Sequence, residues 1–182
     1  MKPPSSVEGR ERARLFCALR LPDDALDLLC AWQAEHLSGR VVVRDHLHIT
    51  LAFLGHRPVD ELESILAATR DAAAGARALR LEPVRYRETR SVGMLVLDDE
   101  GGAATALAAD LHERLERLGV YERENRPWLP HLTVLRFRQR PKFSPPVPQV
   151  GPFSPSDAAV YHSVLRSHGA QYFVVESYAL GG

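Results

Sequence analysis

The sequence predicts an α+β fold in which sheets meet around a central groove. Three observations carry that prediction. Stretches with apolar residues at strand spacing and at helical spacing follow in the order strand, helix, strand, helix, strand, strand, helix, strand, strand, strand. Two of those strands, roughly half the chain apart, hold the same His-x-Thr pattern, His48-Ile49-Thr50 and His131-Leu132-Thr133, which points to an internal duplication facing itself across a cleft. With 182 residues and 45% apolar content, the chain can bury a good core as one domain or as two small lobes sharing an interface.

Residues 13–21 alternate as a first strand, with Leu15, Cys17 and Leu19 on one face and Phe16 and Ala18 on the other, so both faces are expected to be buried. Pro22, Asp23 and Asp24 open a helix to about His36. An aspartate there can cap free N–H groups, and Ala25, Leu28, Leu29, Trp32 and His36 recur at helical spacing. Residues 41–43 lead as a short extended piece into the first motif strand, which is expected to run to Leu54 and stop at Gly55. Pro58 opens a second helix with Val59, Leu62, Ile65, Leu66 and Thr69 as its buried stripe, ending in the alanine run before Gly75.

Residues 79–86 and 92–97 read as two strands bracketing Arg87-Glu88-Thr89-Arg90, followed by a turn from Asp98 to Gly102. A third helix over residues 103–118 sets Leu107, Leu111, Leu115 and Leu118 on one side, with Gly119 as its C-cap. The second motif strand runs to about Phe137. The Pro-rich stretch 138–155 that follows is expected to lie over the surface as a loop or lid, and residues 158–165 and 172–180 close the chain as two strands. Residues 1–12 are expected to form a disordered N-terminus and residues 13–182 a single domain.

Lys+Arg and Asp+Glu both number 23, so no overall field draws in long nucleic acid or an anionic membrane, and an anionic ligand must be held locally. Cys17 and Cys30 stand in apolar-patterned segments without a Cys-x-x-Cys, which reads as buried thiols in a reducing compartment. The first twelve residues have no apolar core of signal-peptide type and nothing approaches a membrane span. A soluble cytoplasmic protein is expected, monomeric and without a membrane partner.

Side chains alternate along a strand, so His131 and Thr133 share one face while Leu132 and Val134 take the other; His48 and Thr50 repeat the relation. Polar groups at the centre of apolar strands cost about 1 to 3 kcal/mol each if buried unpaired, a cost removed where the strand lines a solvated cleft. Two imidazoles that titrate near neutrality can divide base and acid work, and two threonines offer hydroxyl donors to a bound anion. That set suits in-line displacement at phosphorus. His46 makes a His-x-His with His48, but no Asp, Glu or Cys cluster at ligand spacing completes a metal site, so no metal is expected; His46 is placed on the face of His48, orienting it or reaching the cleft edge. His56, His112, His162 and His168 have no partner pattern and read as solvated or structural. Tyr161, Tyr172, Phe53 and Trp128 are expected to pack in the lobes.

Arg14-Leu15-Phe16-Cys17-Ala18-Leu19, Leu47-His48-Ile49-Thr50-Leu51-Ala52-Phe53-Leu54-Gly55, Arg126 to Arg136, Ser163-Val164-Leu165 and Gly169-Ala170-Gln171-Tyr172 together make the chain resemble the 2H phosphoesterase superfamily. Within it, the likeness is to the bacterial and archaeal RNA 2',3'-cyclic phosphodiesterases, historically called 2'-5' RNA ligases, and it spans nearly the whole chain. The resemblance implies a bilobal, pseudo-two-fold 2H phosphoesterase fold, with antiparallel sheets around a central cleft, helices outside, and neither cofactor nor metal. It implies hydrolysis of RNA 2',3'-cyclic phosphate ends to 2'-phosphates, and in some members reversible 2'-5' joining. Carried over, His131 activates water and His48 protonates the departing 3' oxygen, roles that the near-symmetric placement leaves open to exchange; Thr50 and Thr133 hold non-bridging oxygens, Arg136 is a candidate to bind the phosphate, and Arg126 either approaches it or ties down the Pro-rich entry to the strand. Phe53 or Trp128 could stack on a base, and Arg85, Arg87, Arg90, Arg138, Arg140 and Lys142 could meet the RNA backbone or merely be solvated. The alternatives are cleavage of a smaller cyclic nucleotide or a 2'-5' oligonucleotide, or a non-catalytic module that binds RNA or a nucleotide.

Overall fold

Leu15, Cys17 and Leu19 alternate with Phe16 and Ala18 along the first strand, and in the computed structural model, which describes residues 11–181, both sets are buried. This strand, β1 (Arg12–Arg20), is therefore an interior strand, and the first sheet is built around it in the order β3-β1-β7-β8, with β3 Ile49–Pro58, β7 Asp157–Arg166 and β8 Gly169–Ala179. The second sheet has the order β2-β6-β5-β4, with β2 Arg40–Val41, β4 Leu81–Glu88, β5 Val92–Asp99 and β6 His131–Arg136. Every pairing is antiparallel. The chain begins in the first sheet, crosses to the second at β2, returns at β3, crosses again for β4 to β6, and comes home for β7 and β8. The two motifs stand at β3 and β6.

Among the described residues three α-helices cover the sheets: α1 (Asp23–His36), α2 (Leu62–Ala74) and α3 (Ala103–Arg117). Ile65, Ala68, Thr69, Ala72 and Ala73 form the buried stripe of α2, and their small side chains let the helix lie close against β7 and β8. On α3 the stripe is Leu107, Leu111 and Leu115, joined by His112, whose Nε2 is 2.7 Å from the Leu51 carbonyl oxygen of β3. Gln33 of α1, buried, donates from Nε2 to the carbonyls of Val42 and Val134, tying the helix to the chain after β2 and to β6. One apolar core runs through both lobes, from Leu15, Cys17 and Leu19 to Leu95, Leu132 and Val134. Phe16, Ala18, Ala159 and Tyr161 form a second, small cluster on the opposite face of the first sheet.

Several boundaries differ from the sequence reading for identifiable reasons. Gly55 does not end the first motif strand: at φ +68° it continues as an irregularity, and β3 runs on to Pro58 opposite Arg12. A 3₁₀ turn over Val59–Glu61 comes between Pro58 and α2, so Val59 is exposed rather than in the buried stripe. Leu28 and Leu118, predicted apolar-stripe residues, are exposed: Leu28 stands at the margin of the buried side of α1, and Leu118 lies past Arg117, the last residue of α3. The cap of α1 is Pro22 without a side-chain hydrogen bond; Asp24 instead accepts from Ala25 N at 2.8 Å inside the first turn. Asp98 and Asp99 belong to β5, and Asp99 accepts from the amides of Ala104 and Thr105, so it supplies the cap of α3. Cys17 is buried, but Cys30 is only partly so. Of the N-terminal stretch read as disordered, residues 1–10 lie outside the described residues, whereas Arg12 already belongs to β1.

The stretch 138–155 lies over the surface as an extended strap, tied at its far end by the Leu81–Phe153 backbone pair and at its near end by one carboxylate. Glu88, nearly fully buried at the end of β4, accepts from the amides of Lys142 (3.0 Å) and Phe143 (2.7 Å), from Arg140 Nε (3.0 Å) and from Tyr86 Oη (3.1 Å). Burial alone would push its pKa up, but these donors prevail and hold it below the usual range. Trp32 Nε1 pins the strap further on, at the Pro146 carbonyl. Replacement Glu88→Ala leaves two amides without their partner, so stability should fall by about 2 to 3 kcal/mol and protease cleavage should concentrate within residues 138–146. Denaturant melts and limited proteolysis test this; an unchanged midpoint with no new cleavage would mean the strap is held elsewhere.

Candidate active site

Each motif histidine is fixed in the same way. His48 Nδ1 lies 2.7 Å from the carbonyl oxygen of His46, and His131 Nδ1 lies 2.8 Å from that of Leu129, in both cases two residues back along the chain. A carbonyl only accepts, so each Nδ1 carries the proton and Nε2 is the atom left for chemistry. Locally the sequence makes this possible by placing each histidine at a strand entrance, His48 immediately before β3 and His131 as the first residue of β6. His46 lies in a 3₁₀ turn (Arg44–His46), so it does not share a strand face with His48 as the sequence reading placed it; its carbonyl does the orienting. Leu129 stands between the prolines at 127 and 130, whose fixed φ stiffens that entrance.

The two entrances are tied together. Trp128 Nε1 donates to the Thr50 carbonyl at 3.1 Å, joining the segment before β6 to β3, and Trp128 itself packs against the main core. His48 and His131 are close enough for their charges to interact, as are His48 and Arg136. Burial, with the positive charges of Arg136, His46 and His131 added, lowers the His48 pKa from 6.5 to about 4, against the opposing pull of the His46 carbonyl. At neutral pH His48 is therefore uncharged, and its Nε2 accepts the hydroxyl proton of Thr50, 3.1 Å away. Thr133 makes no side-chain hydrogen bond among the described residues.

Strict alternation from His131 would put Arg136, five residues on, with the core. The register between β5 and β6 slips by one residue between the pairs Leu135–Gly93 and Thr133–Met94, so Val134 is an extra residue and both Val134 and Leu135 enter the core. The slip returns Arg136 to the side of His131 and Thr133. The first motif has a slip at the equivalent place. Thr50 pairs with Ala18 and Ala52 with Cys17, so Leu51 is the extra residue, and Phe53 comes to the face of Thr50. Phe53 is half exposed there, with the Arg14 guanidinium 4.7 Å over its ring, rather than packed within a lobe.

Tyr172 also belongs to the site and not to the interior. Its ring lies 4.4 Å from that of His46 and meets His48 edge-on at 5.6 Å, while Phe16 stands 5.0 Å from His48 and stacks on Tyr161 at 4.8 Å. The signal for Tyr172 in the sequence is its place at the end of Gly169-Ala170-Gln171-Tyr172, one of the segments that carry the family resemblance; in the structure it stands opposite Ser163. Arg126 is not brought to the histidines: its side chain is 82% exposed and its Nε is 2.5 Å from Glu124. Among the described residues no group of three or more His, Cys, Asp or Glu side chains is placed to hold a metal ion, and no helix is long and apolar enough to cross a membrane.

The sequence model of the 2'-5' RNA ligase superfamily matches residues 21–170. Over 186 residues the chain is 32% identical to a Thermus thermophilus RNA 2',3'-cyclic phosphodiesterase, covering 93% of this chain and 91% of that protein. It is 28% identical over 174 residues to an Escherichia coli K12 protein of the same name, covering 93% and 98%. The crystal structure of E. coli LigT complexed with 3'-AMP shares the fold, with a TM-score of 0.80 at 23% identity over 94% of this chain and all of that one. Two antiparallel sheets, three helices and a doubled His-x-Thr entrance thus agree with the matched sequence: the chain belongs to the 2'-5' RNA ligase superfamily.

Proposed function

We propose that this protein hydrolyses RNA 2',3'-cyclic phosphate ends to 2'-phosphates, by acid and base catalysis between His48 and His131 and without a metal. The observation that carries the reading is the matched anchoring of two imidazoles, each with Nδ1 committed to the backbone carbonyl two residues back and Nε2 left for chemistry, that of His48 lying 3.1 Å from Thr50 Oγ1. The relatives' shared name supports the substrate class. His131 takes a proton from water through Nε2, and the water oxygen attacks phosphorus in line with the bond to O3'. That bond breaks, His48 delivers a proton to the departing O3', and the bond to O2' is kept, giving a 2'-phosphate. Thr50, Thr133 and the Arg136 guanidinium hold the non-bridging oxygens. With the 5'-hydroxyl of a second RNA in place of water, the same exchange forms a 2'-5' linkage.

His48 is neutral in the free protein, so it becomes an acid only when bound phosphate supplies the negative charge that raises its pKa. Between pH about 4 and about 6.5 the folded protein holds fewer protons on His48 than the unfolded chain. Unfolding takes up a proton in that window, so stability falls as pH drops through it, and below about 4 the loss is complete. Wild type should lose about 1 to 3 kcal/mol more than His48→Gln between pH 7 and pH 4. In nitrogen-resolved NMR titrations the His48 pKa should rise on Arg136→Met and on adding inorganic phosphate. A His48 that titrates at 6.5 or above in the free protein would contradict this account.

The reaction itself is tested with a short RNA ending in a 2',3'-cyclic phosphate, in excess EDTA. Wild type should yield only the 2'-phosphate isomer. His48→Ala and His131→Ala should each lower kcat by roughly 10² to 10⁴ with the fold intact, and Thr133→Ala by roughly tenfold to a hundredfold. A 3'-phosphate product, activity lost on chelation, or an unimpaired histidine variant would refute the mechanism. Turnover of nucleoside cyclic phosphates with none of RNA would move the substrate to the smaller nucleotides.

A further inference from the structure

Beyond the histidines, the open face of the second sheet has a feature that hydrolysis of the cyclic phosphate does not use. His131 pairs with Val96 on β5, and Val96 pairs with Arg85 on β4; Thr133 pairs with Met94, and Met94 with Arg87. Cross-strand partners share a face, so Arg85 and Arg87 lie in the same two rows as the reacting histidine and its threonine. Tyr86, between them, faces the other way against Leu95 and the main core. Met94 and Val96, buried yet outside that core, form an apolar strip between the two pairs. Two strand spacings put the backbone of β4 about 10 Å from that of His131.

Both arginines are exposed, and among the described residues neither has an ion-pair or side-chain hydrogen-bond partner. The neighbouring cations are accounted for differently: Arg140 is held by Glu88, and Arg90 lies in the turn after β4, outside the rows. On the facing sheet Arg14 is already occupied, donating to Ser163 Oγ at 2.9 Å and lying over Phe53. β4 is the last strand of its sheet, bordered by the strap at Leu81, which pairs with Phe153, and at Glu88, while Arg85 and Arg87 between them stay exposed.

We infer that Arg85 and Arg87 form a phosphate track that receives the internucleotide phosphates of the RNA strand on the 5' side of the cyclic end. This rests on the reaction proposed above and deepens it: the preferred substrate is an oligonucleotide, not a nucleoside cyclic phosphate. A cyclic phosphate held between the histidines leaves its strand a direct path over Met94 and Val96 to two guanidinium groups, each able to hold two oxygens of a phosphate. No base is read, so the preference is for chain and charge rather than sequence.

The test compares kcat/KM for a five-nucleotide RNA ending in a 2',3'-cyclic phosphate with that for a nucleoside 2',3'-cyclic phosphate. Wild type should favour the pentamer at least tenfold, and Arg85→Ala/Arg87→Ala should reduce that ratio at least tenfold. With wild type, a pentamer whose first two upstream linkages are neutral methylphosphonates should lose the advantage equally, a readout that does not depend on a variant folding. For the pentamer ending in a 2'-phosphate, the salt slope of binding should be shallower in the double variant by about 1.4, the value for two single-strand phosphate contacts. Equal turnover of both substrates by wild type, or a methylphosphonate pentamer as good as the native one, overturns the track. So does a preference that survives in the double variant and falls with Arg14→Met. Hydrolysis of neither substrate would instead bring down the proposed reaction, and the track with it.

Discussion

The site depends on one repeated hydrogen bond, from the Nδ1–H of a histidine to the carbonyl two residues before it. It sets tautomer and ring direction together, so each imidazole offers a single nitrogen to the cleft. Such a bond needs a backbone that cannot rotate away, and the chain supplies two different supports. A 3₁₀ turn holds the His46 carbonyl, and a segment bracketed by Pro127 and Pro130 holds that of Leu129, with Leu97 N bonded to the Pro130 carbonyl at 3.0 Å. Trp128, from the second support, then donates to the backbone of Thr50 beside the first. The two halves of the site are thus positioned against each other by main-chain contacts, which tolerate side-chain change elsewhere.

Bulges supply what alternation cannot. A regular strand carries residues i and i+2 on one face, enough for a histidine and its threonine but not for a third group three residues further. One extra residue directly after each threonine shifts the phase, and the residue at Thr+3 comes to the cleft: Phe53 in one lobe, Arg136 in the other. The two motifs therefore share a backbone device while presenting different chemistry, an aromatic ring on one side and a guanidinium on the other. The pseudo-symmetry is strictest in the main chain and breaks in the side chains that the two slips bring to the motif face.

This explains which parts were legible in the sequence. Alternation and helical spacing are local, so β1, the three helices and the His/Thr pairing could be read directly. The doubled motif and the residues around it carried the family. Register slips are decided by the partner strand: nothing between Thr133 and Arg136 signals that Val134 is extra, and Arg136 was placed through resemblance, not through spacing. Gly55 read as a stop because glycine usually punctuates, yet pairing with Leu15 keeps the strand going to Pro58. Glu88 looked like part of a polar turn and proved to be the clamp on a strap more than fifty residues later, a contact that only tertiary packing can reveal. Tyr172 was expected in the core because aromatic residues in strands usually are, whereas β8 is an edge strand and its Tyr172 ring meets those of His46 and His48.

The electrostatics of the free site follow from the same packing. Placing Arg136, His46 and His131 near a partly buried imidazole would stack like charges if His48 were protonated, and the protein avoids this by keeping His48 neutral. In the reaction proposed above, an arriving phosphate monoanion would reverse the balance, neutralising Arg136 and making the proton on His48 favourable. Binding and protonation are then linked, so whatever holds the anion more firmly also raises the fraction of His48 in its acid form. Groups that never touch the departing oxygen can in this way strengthen the acid that protonates it. Under the proposed mechanism Arg136 would act twice, once on the non-bridging oxygens and once through the titration of His48.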